Sequence, residues 1–396
     1  MDIGLVLNTL RDPAGVPFYP IVFQALYILT WALHIAFVLL ALGSIPLALI
    51  GSAQKAVDEN WKKLSTHMTQ VAKISVSLLI VLGVAPLLFT QVIYDANWYV
   101  TNTISGLWVV AFIYILILAY SLWYWFYYAN RNNSPIAGII GIVSFVAFIG
   151  AGVLMHAFAN ESIQPEQWMN WYAPNGVVDT SGTVLHIDIL RLAFMVSLSA
   201  PVTGIFLLNY VDYTSKCDGY TAEYLAFVKN LGKKVAIVGL LISAVLFAAW
   251  VLTLNMLFNP LVLAIVLFVL ILLFMVIKES NSYITTLVLV VTALLISTLR
   301  EVIRMNIMSK YGYSIYDYPM NIDWPTVIMF LSTFVCVGFT GVGFMLTLAW
   351  RAGRTKGLYT ADGTVTKLAN ATVGITIIWA LVFLAWGLVV VFKNTL

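Results

Sequence analysis

An all-α polytopic membrane bundle of about ten transmembrane helices is the fold class this sequence predicts, and three observations predict it. Hydrophobic residues make up 62% of the 396 and charged residues 9%, against about 45–50% and about 25% in soluble globular proteins. Stretches such as 237–254 and 260–277 hold no charged side chain, so a single lipid-embedded domain over 1–396 accounts for the chain. The basic residues fall in alternate connections between the apolar stretches, as membrane insertion requires.

Taken in order, residues 1–18 contain Asp2, Arg11, Asp12, Pro13 and Pro17. They lack an apolar core followed by a small-residue cleavage site, and are read as a short amphipathic lead-in rather than a signal peptide. Apolar stretches able to cross about 30 Å of hydrocarbon follow near 19–50, 70–93, 104–129, 135–158, 183–211, 235–255, 259–277, 282–308, 324–350 and 366–392. Alternate connections carry Lys55, Lys62, Lys63 and Lys73; Arg131; Lys216, Lys229, Lys233 and Lys234; Lys278; and Arg351, Arg354, Lys356 and Lys367, or 14 of the 20 Lys and Arg. The positive-inside rule puts these connections in the cytoplasm and both termini outside. The connection 159–182 holds Glu161, Glu166 and Asp179 but no Lys or Arg, with Trp168, Trp171 and Tyr172 suited to the outer interface.

Cys217 lies in a polar connection and Cys336 in an apolar span, and neither belongs to a Cys-x-x-Cys-His. Disulfides and covalent c-type haem are therefore not expected. There is no Walker or dinucleotide-binding glycine motif in a strand–helix context, and nothing points to nucleic acid.

Ionisable groups at membrane depth are costly, which makes them the candidates for function. His34 falls inside the first span, His156 near the outer end of the fourth and His186 near the outer start of the fifth, whereas His67 belongs to the cytoplasmic side. Glu301 and Arg304 share one face of the eighth span, with Arg300 beside them, and Arg191 follows His186 by about a turn. Imidazole can supply an axial nitrogen to haem, a carboxylate can ligate high-spin iron, and arginine can neutralise propionates. Zinc would need three or four converging ligands, and His34 is too deep to join His156 and His186. Two other readings stay open on residue type alone: a transporter with an intramembrane His/Glu pathway, and structural packing in which Glu301 and Arg304 form a salt bridge.

Several segments then resemble, in order, subunit I of the cytochrome bd oxidase family. In the first span these are Phe23-Gln24-Ala25-Leu26, Leu33-His34, Phe37-Val38 and Leu42-Gly43; in the second, Gly83-Val84-Ala85, Gln91 and Asn97-Trp98. The fourth span closes with Ala159-Asn160-Glu161-Ser162-Ile163-Gln164-Pro165, similar to the family's Ala-Asn-x-x-x-Gln. His186 opens the fifth after a long outer connection, and Arg300-Glu301-Val302-Ile303-Arg304 in the eighth is similar to the family's Glu-x-Gly-Arg. The resemblance implies that His34 and Glu301 ligate active-site haem and that His186 ligates low-spin haem b. It further implies Arg191, Arg300 and Arg304 as propionate partners, and a pocket shaped by Asn160 and Gln164.

Departures from the family pattern shape the expected function. Asn255–Asn259 joins the sixth and seventh spans where the family carries its quinol-binding loop, and residues 70–129 contain one carboxylate, Asp95, where the family has proton-carrying glutamates. The family's methionine ligand falls where this chain reads Pro260-Leu261-Val262-Leu263, leaving Met256 and His156 as the remaining sixth ligands. The expectation is a haem-b-binding membrane subunit of a respiratory oxidoreductase with two or three haems. It would sit in a bacterial or archaeal cytoplasmic membrane, beside a second membrane subunit or related copy, exchanging electrons with a periplasmic c-type cytochrome. The alternative within the family is a terminal oxygen reductase, with haem d or a high-spin haem b at His34.

Overall fold

The computed structural model describes residues 2–55, 57–355 and 357–395; Lys356, expected on the cytoplasmic side, lies outside them. Among the described residues there is no strand, and ten helical spans are long and apolar enough to cross a membrane. The chain is an all-α polytopic bundle.

Capping side chains explain several helix starts. Helix α1 (Ile3–Thr9) opens on Asp2, whose carboxylate accepts from Leu5 N at 3.2 Å. The first span, α2 (Pro20–Gln54), begins with proline, which has no N–H to leave unpaired. It forms a long hairpin with α3 (Glu59–Ile93), capped by Asp58 onto Asn60 N (2.7 Å) and Trp61 N (3.3 Å). Helix α3 thus starts eleven residues before the apolar stretch at 70, because Trp61, Lys62 and Lys63 continue the helix beyond the hydrocarbon-length segment. A short helix α4 (Asp95–Ile104) fills the connection before α5 (Gly106–Arg131) and α6 (Ala137–Glu161).

After α6 come the one-turn α7 (Trp168–Tyr172) and an extended stretch ending at Asp188, whose carboxylate caps Arg191 N at 3.0 Å. Residues 183–188, expected to begin the fifth span, are therefore extended, and that span starts at Ile189. It consists of α8 (Ile189–Ser197) and α9 (Ser199–Thr214), broken where Pro201 offers no N–H to the Ser197 carbonyl. Three further spans are α10 (Ala222–Thr253), α11 (Pro260–Ile277) and α12 (Ser282–Ser309). The last two are α13 (Trp324–Ser332) continued through a π-turn into α14 (Phe339–Ala352), and α15 (Gly363–Thr395).

Packing divides the chain into two compact units. The first comprises residues up to Pro13, Pro20–Asp212 and Thr221–Tyr318; the second comprises Ala14–Tyr19, Tyr213–Tyr220 and residues from Pro319 onward. One buried cluster of the first unit comprises Phe194, Phe247, Trp250, Val251, Val262, Ile265, Ile296, Leu299 and Ile303, and another Ile205, Ala236, Leu240, Leu272 and Val276. Rings of Phe194 and Trp250 stack at 5.6 Å. One of its ends is basic: Lys55 Nζ donates to Asn130 Oδ1 (3.1 Å), while Lys229 and Lys233 of α10 pair with Glu279 between α11 and α12 (2.5 and 2.8 Å). The opposite end carries α4, α7, the extended stretch and the tyrosine-rich 310–318 connection. In the second unit, Val16 N donates to Pro319 O (2.9 Å) and Asn321 N to Val16 O (2.9 Å), beside α13, α14 and α15.

Candidate functional site

Glu301 is the centre of the most unusual environment in the first unit. Its carboxylate is 1% exposed and belongs to α12, at the end of the bundle opposite the lysines. Oε1 accepts from Gln24 Nε2 of α2 at 3.0 Å and from the Tyr94 hydroxyl at 2.5 Å. Oε2 is buried without a hydrogen-bond partner, and its nearest cation is Arg304 Nη1 at 3.8 Å, too far for a hydrogen bond. The guanidiniums of Arg300 and Arg304 also lie on aromatic faces. Arg304 sits over Tyr94 (4.5 Å) and Tyr27 (5.2 Å), and Arg300 over Trp31 (4.6 Å) and Tyr27 (5.2 Å). Nη1 of each arginine is buried and unpartnered.

Arg191 lies within Coulombic reach of both arginines. Three guanidiniums therefore lie within reach of one another, against the Glu301 carboxylate beside Arg304 and the Asp188 carboxylate beside Arg191, which also caps α8. Positive charge exceeds negative in an apolar bundle, so the region favours an anion, and its unpartnered N–H groups could receive one.

His34 lies on α2 ten residues beyond Gln24, about 15 Å of helix rise. It lies within Coulombic reach of Arg300, the neighbour of Glu301. Nδ1 of His34 is 2.8 Å from the Leu79 carbonyl of α3. Because a carbonyl only accepts, Nδ1 carries the proton and Nε2 keeps its lone pair, the arrangement found for metal-bound imidazole. Gly83 makes room for the ring: a Cβ there would fall 2.9 Å from His34 Cε1 and 3.1 Å from Nδ1.

His186 is held by its backbone. Its N–H donates to Glu161 Oε1 (2.8 Å) and its carbonyl accepts from Asn160 Nδ2 (3.1 Å), so consecutive side chains at the end of α6 clamp the two peptides flanking one residue. Glu161, fully buried, also accepts from the Ser105 hydroxyl at 2.6 Å. Further rungs tie the same stretch down: Trp108 Nε1 to Thr183 O (3.0 Å), Val184 N to Ile104 O (3.2 Å) and His156 Nε2 to Asp188 O (3.0 Å). The His186 imidazole itself is exposed and stacks on Trp171 at 4.5 Å. Gln164 Nε2 turns back to Asn160 O (3.4 Å), closing the end of α6.

Structure thus brings Glu301, Arg300 and Arg304 together with Arg191 and His34 within Coulombic reach of Arg300, and gathers His186, His156, Asn160 and Gln164 where the end of α6 meets the extended stretch. Met256 packs against the aromatic cluster of Phe194 and Trp250. Among the described residues no group of three or more His, Cys, Asp or Glu converges as a metal-ion site. A separate apolar cavity of about 370 Å³, lined by residues such as Trp31, Phe194, Phe247, Leu257 and Ile296, contains neither His34 nor Glu301; Trp31 links it to Arg300. Gln24, Tyr94, Tyr27 and Glu161 were not singled out individually from the sequence. In comparisons with known proteins, no family model, no curated protein and no solved structure matches this chain.

Proposed function

We propose that this chain is a haem-b-binding membrane subunit of a respiratory oxidoreductase of the cytochrome bd type. The observation that carries the reading is Glu301, a buried carboxylate with one oxygen doubly hydrogen-bonded and the other open, beside two arginines with unpartnered Nη1 groups. Arg304 Nη1 pairs with that oxygen only at 3.8 Å, so the ion pair leaves both atoms without a hydrogen bond. The donor set fits haem. Oε2 of Glu301 and Nε2 of His34 are available as iron ligands, and Arg191, Arg300 and Arg304 supply positive charge and N–H groups for propionates. Haem, when bound, supplies one-electron redox chemistry.

The chain's own part is to hold those groups ready in a dry bundle. Tyr94 and Gln24 fix the carboxylate, Leu79 fixes the His34 tautomer, and Asn160 with Glu161 fixes the peptide that carries His186. The ordered resemblances around His34, Asn160, His186 and Glu301 support the same assignment, as does the short Asn255–Asn259 turn in favour of a donor other than quinol. A periplasmic c-type cytochrome and a second membrane subunit, in a bacterial or archaeal inner membrane, complete the proposal.

The test is an optical spectrum of the purified protein in its reduced and oxidised states. A Soret band with haem b absorbance is expected, and its loss in part on His34→Ala. A preparation without any Soret band overturns the reading, and a red-shifted chlorin band moves it to an oxygen reductase.

A further inference from the structure

We infer that Gln24 and Tyr316 are positioning residues that, beside Tyr94, load Oε1 of Glu301 and so sharpen the contrast with its open oxygen, Oε2. Tyr316 belongs to the one-turn helix Ile315–Asp317 in the connection after α12, and is 48% exposed. Its hydroxyl nevertheless donates inward to Gln24 Oε1 at 2.6 Å, across 292 residues of sequence. Gln24, 6% exposed, spends the other end of its amide on Glu301 Oε1 at 3.0 Å, with Met305 Sδ at 2.9 Å. The result is a chain in one direction, Tyr316 O–H to amide carbonyl and amide N–H to carboxylate, in which each bond polarises the next.

An ionised carboxylate only accepts, so it needs an N–H rather than a C=O from the amide it faces. The two ends of a glutamine amide have nearly the same shape, and a phenol donor on Oε1 fixes which end points where. Tyr94 loads the same carboxylate oxygen at 2.5 Å. Two donors on Oε1 and none on Oε2 make the carboxylate asymmetric, with Oε2 the single outlet for its electron pairs. Without Tyr316, the amide can swing away, and the donors on Oε1 fall from two to one. Tyr94 and Gln24 act directly on Glu301; Tyr316 acts through Gln24, from a residue that water can reach.

In the setting of the proposed haem ligation, on which its functional meaning rests, this chain would tune the oxygen left to face iron, Oε2. The geometric claim is decided without haem. The infrared carboxylate bands of Glu301 can be isolated in haem-free protein by subtracting the spectrum of Glu301→Gln. Tyr316→Phe, a change at an exposed site, should shift the splitting between asymmetric and symmetric stretches, and Gln24→Leu should shift it in the same direction by more. Tyr311→Phe is the control: it lies on the same connection but donates to Glu166 at 2.7 Å, and should leave the bands in place. Unchanged bands in Tyr316→Phe, or equal shifts in Tyr316→Phe and Tyr311→Phe, overturn the inference. In haem-loaded protein, Tyr316→Phe should also move the high-spin absorbance at unchanged haem content. Protein that holds no haem but shows the infrared shift removes the functional reading and leaves the positioning role standing.

Discussion

Replacing Glu301 by Gln keeps volume and hydrogen-bonding groups near Gln24 and Tyr94 but removes the carboxylate paired with Arg304. If the open oxygen ligates iron, one haem is lost or its spectrum altered while the helices still assemble, because an amide is a much poorer ligand. A pure ion-pair role instead costs about 3–5 kcal/mol through the unpaired buried arginine, with no change in the spectrum of the haem that remains. Haem content and melting temperature, measured on the same variant, separate the two outcomes. Gly83→Ala tests His34 from the other side. The added methyl would lie 2.9 Å from the ring, so the imidazole must shift from Leu79, at about 1–3 kcal/mol of overpacking; a thermal melt reads the cost. Glu301 and His34 were legible in the sequence because a charge or imidazole inside an apolar run announces itself. Gln24, Tyr94 and Tyr316 were not. They are uncharged or lie outside the spans, and the bonds that give them meaning cross 277, 207 and 292 residues.

The extended 182–188 stretch is an element built from side-chain bonds rather than from a helix or sheet ladder. Glu161→Ala leaves the His186 N–H and the Ser105 hydroxyl without their acceptor, at about 1–3 kcal/mol for each buried group left unsatisfied. Faster amide exchange at His186 and proteolysis within 177–188 are the expected readouts, with α5 and α6 unaffected. The helix pattern foretold a fifth span from 183, but apolar periodicity does not register that Asp188 caps α8 or that Glu161 and Asn160 capture the preceding peptide. At the basic end, Glu279 has φ of +53° and closes α11 with Ser280 N bonded to Met275 O at 2.9 Å, a position that usually takes glycine. Its two lysine partners lower its carboxyl from 4.5 to about 2. A carboxyl depressed by folding stabilises fully above its unfolded value and loses that contribution as pH falls through the folded one. The α11–α12 turn should therefore begin to loosen below about pH 4.5 and lose this tie near pH 2, read as amide exchange at 278–281. Glu279→Gln should abolish that pH dependence.

For the whole chain, protease accessibility in oriented vesicles should cut 52–69, 212–234 and 351–366 from the cytoplasmic side and 159–182 from the outside. Cleavage of 159–182 from the cytoplasmic side would reverse the orientation and the expected access of a periplasmic partner. Ten spans were legible because nearly every one is longer than hydrocarbon is thick and carries few charges, a signal that survives without knowledge of packing. Their neighbours were not, since lipid-facing and protein-facing leucines read alike. Helix α11 illustrates this: Pro260–Ile277 is apolar throughout, with Val262, Ile265, Leu272 and Val276 buried and Leu263, Leu267, Leu270 and Phe274 exposed. Its 18 residues span about 27 Å, whereas the 35 residues each of α2 and α3 span about 52 Å. A bilayer with a core of about 30 Å meets both within one unit. The long hairpin can extend its lysine-bearing end into water, but α11 has no spare turn. Thick membranes must therefore thin beside it or draw the Lys229–Glu279–Lys233 tie toward hydrocarbon, each at a fraction of a kcal/mol per Å of mismatch. Short-chain lipids should consequently raise the melting temperature of the reconstituted protein and long-chain lipids lower it, which makes α11 the gauge of the bilayer thickness this chain tolerates.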